Sequence, residues 1–271
     1  MNDADLSAEL EVAVALAFEA GALLMETRDA GLEVSYKGKD DPVTQADLNA
    51  DALIRSGLAQ HFPGDGLLSE ETLDDSSRLT CERVWIIDPL DGTSNFVRGG
   101  SDFAVSIGLA IRGEPVLGVV YNPAREELFA GAVGLGATLN DTPVTVTNTR
   151  DLEDAQLLVS SSEWREGLKD LALPIKPISS IAYKLALVAG GLADGTFTAN
   201  ARYEWDVCAG AALVNAAGGI ASLRDGSALR LNQPSPRLRW GILAAGRTLH
   251  AVLLEALSNL PTAAWAETRK R

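Results

Sequence analysis

Val84-Trp85-Ile86-Ile87-Asp88-Pro89-Leu90-Asp91-Gly92-Thr93 is the stretch that decides how this chain folds. Its first four residues are apolar and rich in β-branched side chains, the pattern of a buried strand. The strand is expected to end at Asp88, because Pro89 cannot donate to a ladder, and Asp91-Gly92 is expected to make a tight turn. Two carboxylates three residues apart across such a turn can converge on one point, the oxygen-rich setting that a hard cation such as Mg²⁺ takes. Past the turn, the amides of Gly92 and Thr93 are placed to face an anion. The plainer reading is a strand-to-turn junction in which Asp91 only caps the turn.

Three other acidic positions lie in similar settings. Asp47 follows Asp41-Pro42-Val43-Thr44 at the start of a helix, Glu70-Glu71 ends the short apolar run Gly66-Leu67-Leu68-Ser69, and Asp206 follows Trp205 where a helix opens. Each has a structural explanation of its own, as a helix cap or a solvated surface pair. As a set, acids at strand ends and helix starts serve a shared charge better than they serve folding.

Outward from this stretch, residues 5 to 28 read as a helix with Leu6, Leu10, Ala13, Leu16 and Ala20 on one stripe. A polar turn is expected from Tyr36 to Pro42, and a second helix from Thr44 to Ala59, stopped by His61-Phe62-Pro63-Gly64. Short apolar segments at Gly66–Leu68, Val84–Ile87, Phe103–Ile111, Pro115–Tyr121 and Glu127–Val133 predict a largely antiparallel sheet joined by hairpins. Beyond about residue 150 strands and helices alternate: strands at 156–160, 194–198 and 241–244, helices at 180–190, 207–217 and 249–257. This predicts an α+β domain over residues 1–150 and an α/β domain over 151–271.

Composition bounds the partners. The chain of 271 residues is 46% hydrophobic and 22% charged, enough for a real core. A net charge of -14 argues against a nucleic acid polymer as partner. No apolar run approaches the ~18 residues of a membrane span, and the acidic start does not resemble a secretory signal, so no membrane association is expected. Two cysteines far apart, Cys81 and Cys208, fit a reducing compartment, and a cytoplasmic location is the expectation. His61 and His250 have no evident nucleophile beside them. Hydrolysis by this chain would therefore use metal-activated water, which needs only carboxylates and an orienting hydroxyl.

Asp41-Pro42-Val43-Thr44 with Asp47, Glu70-Glu71, Asp88-Pro89-Leu90-Asp91-Gly92-Thr93 and Trp205-Asp206-Val207-Cys208-Ala209-Gly210 occur in an order that resembles the inositol monophosphatase superfamily. The likeness runs from about residue 40 to 247 and continues through Ser106-Ile107-Gly108 and Gly118-Val119-Val120-Tyr121. That superfamily includes 3'(2'),5'-bisphosphate nucleotidases and some fructose-1,6-bisphosphatases. The resemblance implies a layered αβαβα sandwich and a lithium-sensitive phosphomonoesterase acting on a small phosphorylated metabolite with two or three Mg²⁺ ions. It implies that Glu70, Asp88 and the Leu90 carbonyl hold one ion, and that Asp88, Asp91 and Asp206 hold a second. Glu70 and Thr93 would orient the attacking water, with Asp47 behind Thr93, and the amides of Gly92 and Thr93 would grip phosphate beside Asp91. Family members are often dimers, so a homodimer is a further expectation.

Substrate features divide between branches. Ser69 stands where inositol monophosphatases commonly have glycine, and Ala199 where inositol-specific members carry a substrate-binding glutamate, with Glu204 the nearest acid. Lys184, in Ser179-Ser180-Ile181-Ala182-Tyr183-Lys184, is similar to a nucleotidase lysine that faces an extra phosphate, which makes Lys184 and Glu204 candidate substrate contacts. Ser94-Asn95-Phe96 looks like the inositol branch. A sugar bisphosphatase and a catalytically idle metal- or phosphate-binding regulator are the remaining alternatives. Haloacid-dehalogenase phosphatases need Asp-x-Asp, and here Asp88 and Asp91 are three apart.

Overall fold

A computed structural model describes residues 5–31, 34–38, 41–170 and 173–258. Helix α1 (Ser7–Ala30) buries Ala13, Leu16, Ala17, Ala20 and Leu24, the stripe its periodicity predicts. Strands β1 (Val34–Gly38) and β2 (Asp41–Thr44) pair antiparallel, so the stretch expected to be a turn from Tyr36 to Pro42 is strand at both ends. Helix α2 (Gln45–His61) starts where Thr44 caps it: the Thr44 hydroxyl accepts from the Ala46 amide at 3.2 Å, and Asp47 accepts from the Thr44 amide at 2.8 Å.

Seven strands then form one sheet in chain order: β3 (Gly66–Ser69), β4 (Arg83–Asp91), β5 (Ala104–Ile111), β6 (Glu114–Asn122), β7 (Glu127–Ala132), β8 (Gly136–Leu139) and β9 (Thr142–Val144). Only the β3–β4 pair is parallel. Helix α3 (Thr93–Val97) follows β4. A second, five-stranded sheet has the order β11 (Ile175–Pro177), β10 (Leu157–Val159), β12 (Gly195–Phe197), β16 (Ile242–Ala245), β14 (Ile220–Leu223). The short strands β13 (Arg202–Tyr203) and β15 (Arg237–Leu238) pair separately. The remaining helices are α4 (Ser161–Arg165), α5 (Ile181–Ala189), α6 (Glu204–Ala216) and α7 (Arg247–Ser258).

The alternation of strand side chains sorts these elements into five layers. Trp85, Ile87, Val105, Ile107 and Val119 point to one face of the large sheet and bury against α1 and α2. Val84, Ile86, Val120 and Phe129 point to the other and pack on α5 and α6. Those helices meet Leu158, Ile242 and Ala244 of the small sheet on their far side, whereas Leu157, Phe197 and Leu243 face α7. The result is the αβαβα sandwich that the resemblance implies.

Two glycines set the central layer. Gly108 and Gly118 are cross-strand partners on β5 and β6. A Cβ at Gly118 would lie 2.0 Å from the Ala209 carbonyl oxygen, and one at Gly108 2.6 Å from Cys208 Sγ. The paired glycines form a groove in which the backbone of α6 rests on the sheet. Among the described residues no helix is long and apolar enough to cross a membrane.

Candidate metal centre

The deciding stretch behaves differently from its expectation at one point. β4 does not stop at Asp88 but continues to Asp91, and its pairing with β5 slips between those two residues. Asp88 stands opposite Ser106 and Asp91 opposite Ala104. Pro89 and Leu90 stand opposite the single residue Val105, one extra residue absorbed as a bulge, which a proline tolerates because a bulged residue need not donate to the ladder. The bulge is what turns Asp88 and Asp91 toward one another. The Asp88 carboxylate accepts from the Leu90 amide at 2.9 Å, closing the bulge. Gly92 then takes φ +99°, a left-handed conformation open to glycine, and a Cβ there would lie 2.7 Å from the Asp102 carbonyl oxygen.

Asp206 arrives from the other half of the chain. The sequence places it at the opening of a helix beginning at Val207, yet α6 begins at Glu204, so Asp206 lies within the first turn and accepts from the Tyr203 amide at 2.8 Å. One carboxylate oxygen each from Asp88, Asp91 and Asp206 lie within 4.8 Å of one another. Asp88 is 2% exposed and Asp91 8%. Burial, and then the neighbouring charges of Glu70, Asp91 and Asp206, push the Asp88 carboxyl well above its usual range. Burial and the Asp91 charge push Asp206 up to about 7.

Such a cluster is repulsive unless positive charge enters it. An all-carboxylate set with a nearby main-chain carbonyl at Leu90 is the donor chemistry of a hard divalent cation. The residues therefore fit the metal that the sequence pattern implies.

The supporting groups are equally defined. Asp91 accepts from the Ser180 hydroxyl and the Ala182 amide, both at 2.6 Å, at the start of α5. The Thr93 hydroxyl lies 2.9 Å from the Leu90 carbonyl oxygen and 3.3 Å from Asp47. Asp47 is buried, and burial raises its pKa against the opposing bonds from Thr44. Gly92 and Thr93 open α3, where the first helical bond runs from the Asn95 amide to the Gly92 carbonyl at 2.8 Å. Amides in that position have no partner within their own helix. Glu70 follows β3, with its amide 3.3 Å from the Ile87 carbonyl, one residue before Asp88.

Two expected substrate contacts do not join this group. Glu204 is fully buried, and its two oxygens accept from the amides of Asn232 and Gln233 at 2.7 and 2.9 Å. It anchors the approach to β15. Lys184 is also fully buried, donating to the Ser160 hydroxyl at 2.8 Å. Burial drops its pKa to about 7 against the countering charge of Glu163. Lys184 thus lies behind the carboxylates instead of facing a ligand. Ser180 and Arg202 were not singled out in the sequence. Ser180 sits at a helix start, a legible signal, whereas Arg202 reaches Glu163 at 2.8 Å through tertiary packing alone.

A layered fold with a buried carboxylate cluster at its centre defines a class, and comparison with known proteins defines the family. A profile of the inositol monophosphatase family matches residues 5–262, and the chain belongs to that family. It is 35% identical to an inositol-1-monophosphatase of Synechocystis over 96% of this chain and 92% of that protein. It is 36% identical to Nus factor SuhB of Escherichia coli over 79% of this chain and 84% of that one. Among solved structures, the extragenic suppressor protein suhB of Bartonella henselae superposes with a TM-score of 0.80 at 34% identity, covering 93% of this chain and 99% of that one. The inositol monophosphatase of Anabaena superposes with a TM-score of 0.79 at 33% identity, covering 95% and 98%.

Proposed function

We propose that this protein is a Mg²⁺-dependent, Li⁺-sensitive phosphomonoesterase that hydrolyses a small phosphorylated metabolite. The observation that carries the proposal is the convergence of Asp88, Asp91 and Asp206 within 4.8 Å at a buried point beside Glu70 and Thr93. Glu70, Asp88 and the Leu90 carbonyl would hold one ion, and Asp88, Asp91 and Asp206 a second, the residues to about 150 supplying most ligands and the later half Asp206. When bound, Mg²⁺ lowers the pKa of water and stabilises charge on the leaving oxygen. Glu70 and the Thr93 hydroxyl orient the attacking water, and Asp47 fixes the Thr93 rotamer. The amides of Gly92 and Thr93 bind the phosphate oxygens. Water oxygen bonds to phosphorus, the ester P–O bond breaks, and the alcohol leaves with a proton from solvent, giving inorganic phosphate.

Two substrate classes have support. Relatives named inositol monophosphatase favour an inositol monophosphate. The positive charge of Arg202 acting on Asp91 and Asp206 favours a second anionic group, as in adenosine 3',5'-bisphosphate. The relative named Nus factor SuhB supports a binding role for the same fold, which the convergence of Asp88, Asp91 and Asp206 disfavours. The test is phosphate release from inositol 1-phosphate, adenosine 3',5'-bisphosphate and fructose 1,6-bisphosphate with Mg²⁺, with EDTA, and with added Li⁺. Release that needs Mg²⁺ and falls with Li⁺ is the expected result. Silence on every substrate, with Mg²⁺ bound, would overturn the enzymatic reading.

A further inference from the structure

Helix α2 carries Asp47 and, one turn later, Asp51 on the same face. Asp47 holds Thr93, as described. Asp51 is 5% exposed and accepts three hydrogen bonds. The Ser69 hydroxyl donates to its Oδ1, the Thr72 hydroxyl to its Oδ2 at 2.9 Å, and Arg55 reaches the same Oδ2 at 3.5 Å. Ser69 and Thr72 bracket Glu70-Glu71, so one buried carboxylate ties both ends of that segment. The Ser69 hydroxyl also accepts from the Glu71 amide at 3.3 Å, which closes the turn from inside.

The placement has a consequence for Glu70. Its amide hangs on the Ile87 carbonyl, and Ser69 is in register with Ile87 in the parallel ladder, so the backbone at Glu70 stands next to Asp88. The ladder ends there, because β3 stops at Ser69. Past that point, hydroxyls on either side of Glu70 attach it to α2. A glycine at position 69 would have no hydroxyl to reach Asp51.

We infer that Asp51 is a positioning residue that fixes Glu70 through Ser69 and Thr72. Helix α2 thereby sets the spacing between Glu70 and Thr93, the pair that orients water, holding one from Asp51 and the other from Asp47. The inference rests on the reading of Glu70 as a metal ligand and water-orienting group. A buried carboxylate, even one compensated by hydrogen bonds and Arg55, is weak evidence of stabilisation alone, because an apolar contact of similar volume often serves as well.

The experiment compares the intact wild-type chain with Ser69→Ala/Thr72→Val, Thr72→Ser, Arg83→Gln and Glu70→Gln. Mg²⁺ affinity is read by calorimetry, kcat and KM by phosphate release, and Tm by circular dichroism. Loss of groups that orient metal ligands typically weakens metal affinity or activity about 10–100-fold. The double variant is expected to weaken Mg²⁺ binding and lower kcat by that order, with KM changing less. Thr72→Ser keeps the donor and should retain wild-type values. Arg83→Gln breaks the bonds to Glu9 on α1 and to Asp65, which precedes β3 at the end opposite Glu70, and should lower Tm without moving Mg²⁺ affinity. If Glu70→Gln loses affinity and kcat but the double variant keeps both, the positioning role is wrong. If Glu70→Gln itself changes neither, the underlying reading of Glu70 is wrong. Should the double variant not fold, Asp51→Asn is measured in the same way and judged by the same two outcomes.

Discussion

Gly118→Ala tests how the fold positions the metal centre, because it touches none of the carboxylates. The new Cβ would lie 2.0 Å from the Ala209 carbonyl oxygen, 2.7 Å from its carbon and 2.9 Å from Ala209 Cα. Ordinary contact begins at 3.4 Å, so with all obstacles backbone, α6 must retreat by roughly 1.4 Å at that point. Overpacking of this kind costs about 1–3 kcal/mol, which lowers the Tm of a protein this size by about 2–12 °C. Asp206 sits less than one turn before Ala209 on the same helix, so the retreat carries its carboxylate away from Asp88 and Asp91. A displacement near 1 Å in a catalytic constellation can cost about 10²-fold in rate. Thermal melting followed by circular dichroism and Mg²⁺ calorimetry read the two effects separately. An unchanged Tm together with unchanged Mg²⁺ affinity would refute the claim that this glycine groove seats α6.

Asp91→Asn should abolish turnover while keeping the fold, because the amide oxygen still accepts from Ser180 and Ala182; undiminished phosphate release would contradict the ligand assignment. In EDTA, the wild-type Tm should fall relative to that of Asp206→Asn as pH rises from about 5 to 8. The sign follows from Asp206, whose folded pKa of about 7 lies above its ordinary 3.8. Stability from such a group is full below the unfolded pKa and is lost as pH climbs through the folded one; a flat difference would oppose it. His250 is buried beside the Ser222 hydroxyl at 2.9 Å, and burial lowers its pKa. The folded protein thus resists its protonation, so stability should drop on acidification below about pH 6.5. His250→Gln should reduce that acid sensitivity, as urea titrations at two pH values would show.

Much of this arrangement was legible in the sequence because it is local. The stripe on α1, the start of α2 near Thr44 and the apolar run of β4 each depend on near neighbours, and the ordered acidic motifs marked Asp88, Asp91 and Asp206 as one set. The bulge at Pro89-Leu90 was not legible, since a proline after a strand signals termination equally well and only the partner strand β5 reveals the slip. The early start of α6 at Glu204 escaped for a related reason: its first turn is held by Tyr203 and by the loop at Asn232 and Gln233, which lie far along the chain. Glu204 and Lys184 are candidate substrate contacts by the family resemblance. Tertiary packing instead surrounds each with buried partners, and no period or spacing encodes that. The role of Asp51 is not legible in the sequence, because its partners Ser69 and Thr72 are remote from it along the chain.

The central claim is that the carboxylates of β4 and α6 form one metal centre. Crystals grown with Mn²⁺ in place of Mg²⁺ and measured at the manganese absorption edge test it directly. The account predicts anomalous peaks bounded by Asp88, Asp91 and Asp206 and by Asp88, Glu70 and the Leu90 carbonyl, each with oxygen ligands only. A saturated protein whose manganese peaks lie elsewhere, with these carboxylates unliganded, would contradict it.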